Sequence, residues 1–137
     1  MKKNAILFTL LFFTATLLAQ IRNPEKMRFY TITRNESAKK KGLHLKEVVS
    51  DSRCPEDVTC VWGGEIKLVI SVYRKGKFVN DETITISSMH LKENKKWFSK
   101  YLPSSRWNIK SITVLPYPKE AVPVNPKDYY IKIGYTK

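Results

Sequence analysis

From Ile66 onward the chain alternates, with apolar Ile66, Leu68, Ile70 and Val72 separated by Lys67, Val69, Ser71 and Tyr73. A period of two belongs to a strand with one buried face, whereas a helix repeats its apolar residues every three to four positions. Lys75-Gly76 supplies a turn, and Phe78, Ile84 and Ile86 carry the apolar pattern on. Residues 66–87 are therefore predicted to form a hairpin with a slightly long or bulged connection. Tyr129, Ile131, Ile133 and Tyr135 alternate in the same way, predicting a last strand with both tyrosines in the core. Ile109 to Leu115 reads as another strand, stopped by Pro116 and Pro118, which cannot donate to a central ladder. Residues 27–34 are rich in aromatic and β-branched types. Leu43 to Val49 follows as a strand whose alternation slips near Lys46-Glu47, as across a bulge. Residues 88–96 are polar, and Trp97 to Leu102 is a short apolar patch with room for a helical turn. Six or seven short strands and no long helix predict an all-β domain, an antiparallel β-sandwich or barrel-like fold.

The segment Asp51-Ser52-Arg53-Cys54-Pro55-Glu56-Asp57-Val58-Thr59-Cys60-Val61-Trp62-Gly63-Gly64-Glu65 stands apart. Cys54 and Cys60 are the chain's two cysteines. In an oxidising compartment they most simply pair with each other, closing a tight loop. Pro55 narrows the loop's conformations, and Gly63-Gly64 allows a sharp turn into the strand at Ile66. Trp62 is large enough to cover the disulfide from one side. The loop has two readings. It is a corner staple for a small core, or it is a rigid acidic recognition surface built from Asp51, Arg53, Glu56, Asp57, Trp62 and Glu65. A redox role lacks both C-x-x-C spacing and a surrounding βαβ pattern.

The compartment follows from the other end of the chain. Met1-Lys2-Lys3-Asn4 is followed by an uncharged apolar and small-residue run from Ala5 to Ala19. This is the pattern of a cleavable signal peptide over residues 1–19, leaving one exported domain over 20–137. The run is shorter than the roughly 20 residues a spanning helix needs, so no transmembrane anchor is expected after cleavage. The expected location is periplasmic or extracellular.

The motif string D-S-R-C-P-x-x-V-x-C-V-W-x-G, with Leu115-Pro116-Tyr117-Pro118 downstream, resembles a group of small exported bacterial domains of unknown function. The likeness implies a bacterial origin and a stand-alone exported domain. It implies no catalytic residue and no ligand.

Charge bounds the partners. The chain has a formal net charge of +13, and the stretch from Glu47 to Glu65 holds five acids against one base. This acidic island in a basic protein coincides with both cysteines. Lys39, Lys40 and Lys41, with Lys92, Lys95 and Lys96, lie in polar stretches and are the candidate contacts for an anionic envelope polymer.

Other chemistries find little support. Cys54, Cys60, His44 and His90 have no zinc-site spacing, and the acids of the island have no EF-hand spacing, so no metal site is assigned. His44 sits between Leu43 and Leu45 in a strand pattern and reads as a surface histidine. Neither histidine belongs to a nucleophile motif, and no catalytic residue or cofactor is assigned. No RNP-like string or helix-turn-helix accompanies the positive charge, so nucleic acid is not the expected partner. The sequence thus predicts a non-enzymatic exported binding domain whose partner is an anionic polymer or another exported protein. The alternative is an inhibitor-like or protective protein that presents the 51–65 loop to an enzyme. A small hydrolase is the third class.

Overall fold

The structure is a computed structural model and describes residues 25–34, 42–106 and 108–136. The predicted signal peptide, the lysine run Lys39-Lys40-Lys41 and Trp107 lie outside the described residues. Six strands and one α-helix occur among those described: β1 (Arg28–Ile32), β2 (Gly42–Asp51), β3 (Ile66–Arg74), β4 (Lys77–Ile86), α1 (Leu91–Tyr101), β5 (Ile109–Leu115) and β6 (Tyr130–Tyr135). A single 3₁₀ turn, Ser104–Arg106, follows the helix.

The strands form two antiparallel three-stranded sheets, ordered β1-β6-β5 and β2-β3-β4. This is the predicted all-β, sandwich-like fold. Apolar alternation decides which face of each strand turns inward. Ile66, Leu68 and Ile70 of β3 are fully buried, and Ile131 and Ile133 of β6 face them from the other sheet with Ile32 and Val114 in one core cluster. Tyr129 and Tyr135 are buried too, as their spacing predicts. One edge of the sandwich is stitched where the Leu45 N–H donates to the Thr33 carbonyl, 3.1 Å. The opposite edge, between β4 and β5, is a seam, and α1 packs against both of those strands.

The bulge expected near Lys46-Glu47 is present as a register shift between Leu45 and Glu47. The β3–β4 connection is tighter than expected. Lys75 and Gly76 form a two-residue turn, both with positive φ, and the irregularity sits within the strands at Val72/Tyr73. Phe78 does not continue the buried pattern: it is exposed, with its ring edge-on to Tyr73.

The helix is the main departure from the sequence reading, which places polar residues and a short apolar patch there. Its inward positions are Asn94 and Phe98, four apart on one face. Asn94 sits in the interior because its side-chain amide donates to the Thr85 carbonyl of β4, 3.0 Å. A polar residue at a buried position interrupts the apolar period, so the pattern looks like loop. The helix is latched a second time through Glu82, which accepts from Trp97 Nε1 at 2.5 Å and from the Tyr101 hydroxyl. The Tyr101 and Trp97 bonds outweigh the effect of burial and hold the Glu82 carboxyl below the usual range. His44 also differs from expectation. It is half-buried and edge-on to Tyr73, and its Nε2 is buried without a hydrogen-bond partner.

Candidate functional site

The Cys54–Cys60 loop is the tip of the β2–β3 hairpin. Strand pairing ends formally at Asp51/Ile66, but the ladder continues through Ser52 N–H to Glu65 O, 2.9 Å, and Cys54 N–H to Gly63 O, 3.0 Å. Gly64 lies at the base with φ +71, and a Cβ there would fall 2.0 Å from the Ser52 carbonyl oxygen. Neither the backbone angle nor the space suits any other residue. The disulfide is formed, with Cα atoms 5.9 Å apart.

Below the tip, Arg53 clamps the loop to a distant part of the chain. Its Nε and Nη2 donate to the two carboxylate oxygens of Asp51, 2.8 and 2.6 Å, a bidentate pair. Nη1 donates to the Val114 carbonyl and Nη2 also to the Pro116 carbonyl, 3.0 Å, while the guanidinium lies over the Tyr117 ring at 4.6 Å. The Tyr129 hydroxyl donates to Asp51 Oδ2, 2.9 Å. Burial alone would raise the Asp51 carboxyl, but the Arg53 bonds and charge outweigh it and hold the group below the usual range. Burial and the Asp51 carboxylate together push the Tyr129 hydroxyl up to about 12.

The two halves of the sequence motif therefore meet in space. The Glu56 N–H donates to the Pro118 carbonyl, 2.9 Å, and Asp57 Oδ1 accepts from the Glu120 N–H, 2.9 Å. The Leu115-Pro116 peptide, beside the two carbonyls that Arg53 holds, is cis.

This geometry divides the candidate recognition residues. Arg53 is buried and Asp51 is turned to it. Glu56, Asp57 and Trp62 face solvent, and Glu65 is half-buried at the loop's base. Trp62 is large and stands at the surface of the loop. It keeps 55% of its surface exposed, and Val61 beside it is fully exposed. A loop held by a disulfide, a ladder and the Arg53 clamp thus carries two large apolar side chains outward.

A group of basic residues stands at the other end of the sandwich. β3 runs away from the acidic loop to Arg74, turns at Lys75-Gly76 and returns from Lys77 along β4. At that end a small pocket of about 100 Å³ is lined by Gly42, Tyr73, Arg74, Lys100 and Tyr101. In sequence, Gly42 directly follows Lys39-Lys40-Lys41. Lys92 and Lys96 are exposed on α1, and with Lys100 they recur every four residues along one face. Lys95, next to them, is half-buried. The sequence pattern does not predict the helix, so this stripe is not legible as one face.

No three His, Cys, Asp or Glu side chains converge as metal ligands among the described residues. Nor is any helix among them long and apolar enough to cross a membrane. No known protein family, curated protein or solved structure matches this chain.

Proposed function

We propose that this protein is an exported, non-enzymatic binding domain that holds an anionic envelope polymer against its basic end. The observation that carries this reading is the group of basic residues at one end of the sandwich and along α1. Arg74, the Lys75/Lys77 turn and Lys100 gather at one end, and Lys92 and Lys96 extend the positive surface along α1. The acids Glu56 and Asp57 stand at the opposite end. A one-signed, exposed field concentrates polyanions without needing a shaped cavity. The disulfide and the signal-like residues 1–19 support export.

The test is retention on native cell-envelope fractions. Replacing Lys92, Lys96 and Lys100 with Gln, and separately Lys39, Lys40 and Lys41, should weaken retention with little change in melting temperature. Exposed substitutions usually move stability by about 0.5 kcal/mol or less. Binding should also fall as salt shortens the screening length below roughly 10 Å. Retention of both lysine variants at the wild-type level rejects the polymer reading.

A second reading, presentation of the disulfide loop to another exported protein, is favoured by the exposed Val61-Trp62 tip. Tryptophan on a rigid, desolvatable surface is a frequent anchor of protein interfaces.

A further inference from the structure

Strand β3 ends and strand β4 begins on a cation. Arg74 stands directly opposite Lys77 across the hairpin, with Lys75 between them in the two-residue turn. Like charges facing one another across an antiparallel pair are destabilising, and all three side chains are exposed. Lys100, near the end of α1, adds a fourth positive charge, with its Nζ 4.9 Å from the centre of the Tyr101 ring. The contact with Tyr101 holds the Lys100 ammonium above its ordinary value, while the charge of Arg74 works against it.

None of these four cations forms an ion pair among the described residues. The two acids of β4 are committed elsewhere. Asp81 pairs with Lys46 and accepts from the Ser71 hydroxyl, 2.6 Å. Glu82 accepts from Asn80, Trp97 and Tyr101, and supports Lys100 through its charge alone.

Arg74 and Lys100 line the same pocket of about 100 Å³, together with Gly42, Tyr73 and Tyr101. Among its described lining residues these two alone are charged. Pockets that take whole small molecules begin at about 300 Å³, so this one admits an end group and not a sugar ring.

We propose that this pocket is a phosphomonoester subsite: one phosphoryl group enters it between Arg74 and Lys100, and the rest of the ligand stays outside. Charge selects the group. A phosphomonoester carries about −1.5 to −2 near neutral pH, whereas a phosphodiester or a carboxylate carries a single negative charge. Two unpaired cations lining one small pocket match the monoester. The Arg74 guanidinium supplies a planar fork for two phosphoryl oxygens, and the Lys100 ammonium a point charge for the third. The bound dianion also offsets the repulsion among Arg74, Lys77 and Lys100. The phosphoryl group is an end or side group of an envelope polymer. On that point alone the inference rests on the polymer reading, which itself needs only diffuse positive charge.

The first arm of the test titrates methyl phosphate, dimethyl phosphate and acetate into the intact oxidised protein, slightly above neutral pH, and follows amide NMR shifts. Methyl phosphate should move Gly42, Arg74 and Tyr101 saturably and bind about tenfold tighter than the other two, the worth of one charge-assisted bond. Arg74→Lys keeps the charge but loses the fork, and Lys100→Gln removes the second cation; each should weaken methyl phosphate by about tenfold. Lys67→Gln removes equal charge at the far end of β3 and should bind as wild type does. Equal affinity for the three anions overturns the proposal. So does an effect of Lys67→Gln as large as that of Lys100→Gln, or a shift pattern that spares Gly42, Arg74 and Tyr101.

The second arm compares retention on envelope fractions before and after phosphatase treatment. Treatment should lower wild-type retention to the level of Lys100→Gln on untreated material. Unchanged retention after treatment overturns the proposal while the polymer reading stands. If methyl phosphate fills the pocket as expected but neither fraction is retained, the polymer reading fails and the subsite stands, with free phosphomonoesters as its source.

Discussion

Arg53 carries more of the loop's architecture than its place in a recognition motif suggests. Four of its donor contacts are made inside the protein, to Asp51, Val114 and Pro116. Removing one member of a buried ion pair leaves the other charged and unmatched, a cost of about 3–5 kcal/mol. Arg53→Ala should therefore lower unfolding free energy by about that much in urea titrations near neutral pH. The pH dependence has a definite sign. Asp51 is held below its unfolded value, so its contribution is present above the ordinary carboxylate range near about 4 and is lost as pH falls through its folded value. In the variant the carboxylate has lost its partner and gains from protonation. The stability gap between Arg53→Ala and wild type should narrow in acid; a gap independent of pH argues that the carbonyl bonds, not Asp51, dominate. In sequence Arg53 looks like the lone base in an acidic surface loop. Two of its four side-chain bonds go to backbone carbonyls about sixty positions away, and carbonyls carry no sequence signature.

At the scale of elements, the hairpin loop and the helix hold the seam in different ways. The disulfide closes a loop of six-residue separation, and chain entropy gives such a bridge about 2.4 kcal/mol. The double variant Cys54→Ser, Cys60→Ser should be less stable by about 2 kcal/mol yet still fold, because the Ser52/Glu65 and Cys54/Gly63 ladder and the Arg53 clamp remain. Unfolding of the variant at room temperature would mean that the bridge, not the clamp, organises the loop. The helix depends on Phe98, which is fully buried. Phe98→Ala should cost about 3–5 kcal/mol in denaturant unfolding, the range for deleting a buried aromatic. Loss of the Trp97–Glu82 and Tyr101–Glu82 contacts should accompany it as a change in tryptophan fluorescence. A sub-kcal effect would mean that α1 only rests on the sheets. The period-two strands are readable because each repeats its own local pattern. The helix is not, because Asn94 occupies one of its two core positions.

For the molecule as a whole, the antiparallel path decides where charge goes. β2 enters beside Gly42 and leaves at Asp51, β3 runs back to Arg74 and β4 leaves from Lys77, so Glu56 and Asp57 stand at one end and the Arg74–Lys77 turn at the other. Glu56→Gln with Asp57→Asn should leave polymer retention unchanged or raise it, since the amide oxygen introduced by Asp57→Asn can still accept from the Glu120 N–H. Loss of retention in that variant, with lysine variants unaffected, would make the disulfide loop the working surface. Column retention across a salt series measures both arms.

Some of this protein follows from sequence alone. Alternating apolar residues specify strands because burial on one face is a local requirement, and the two cysteines, where thiols are oxidised, most simply bond each other. The bulge at Leu45/Glu47 is visible as a slip in that alternation. Tertiary structure alone decided which motif residues reach solvent. Asp51, Arg53, Trp62 and Val61 are equally plausible at a surface, yet the first two turn inward and the last two outward. The inward turn of Arg53 depends on backbone partners supplied by the other sheet and the loop after it, and a backbone carbonyl is the same at every position of the chain.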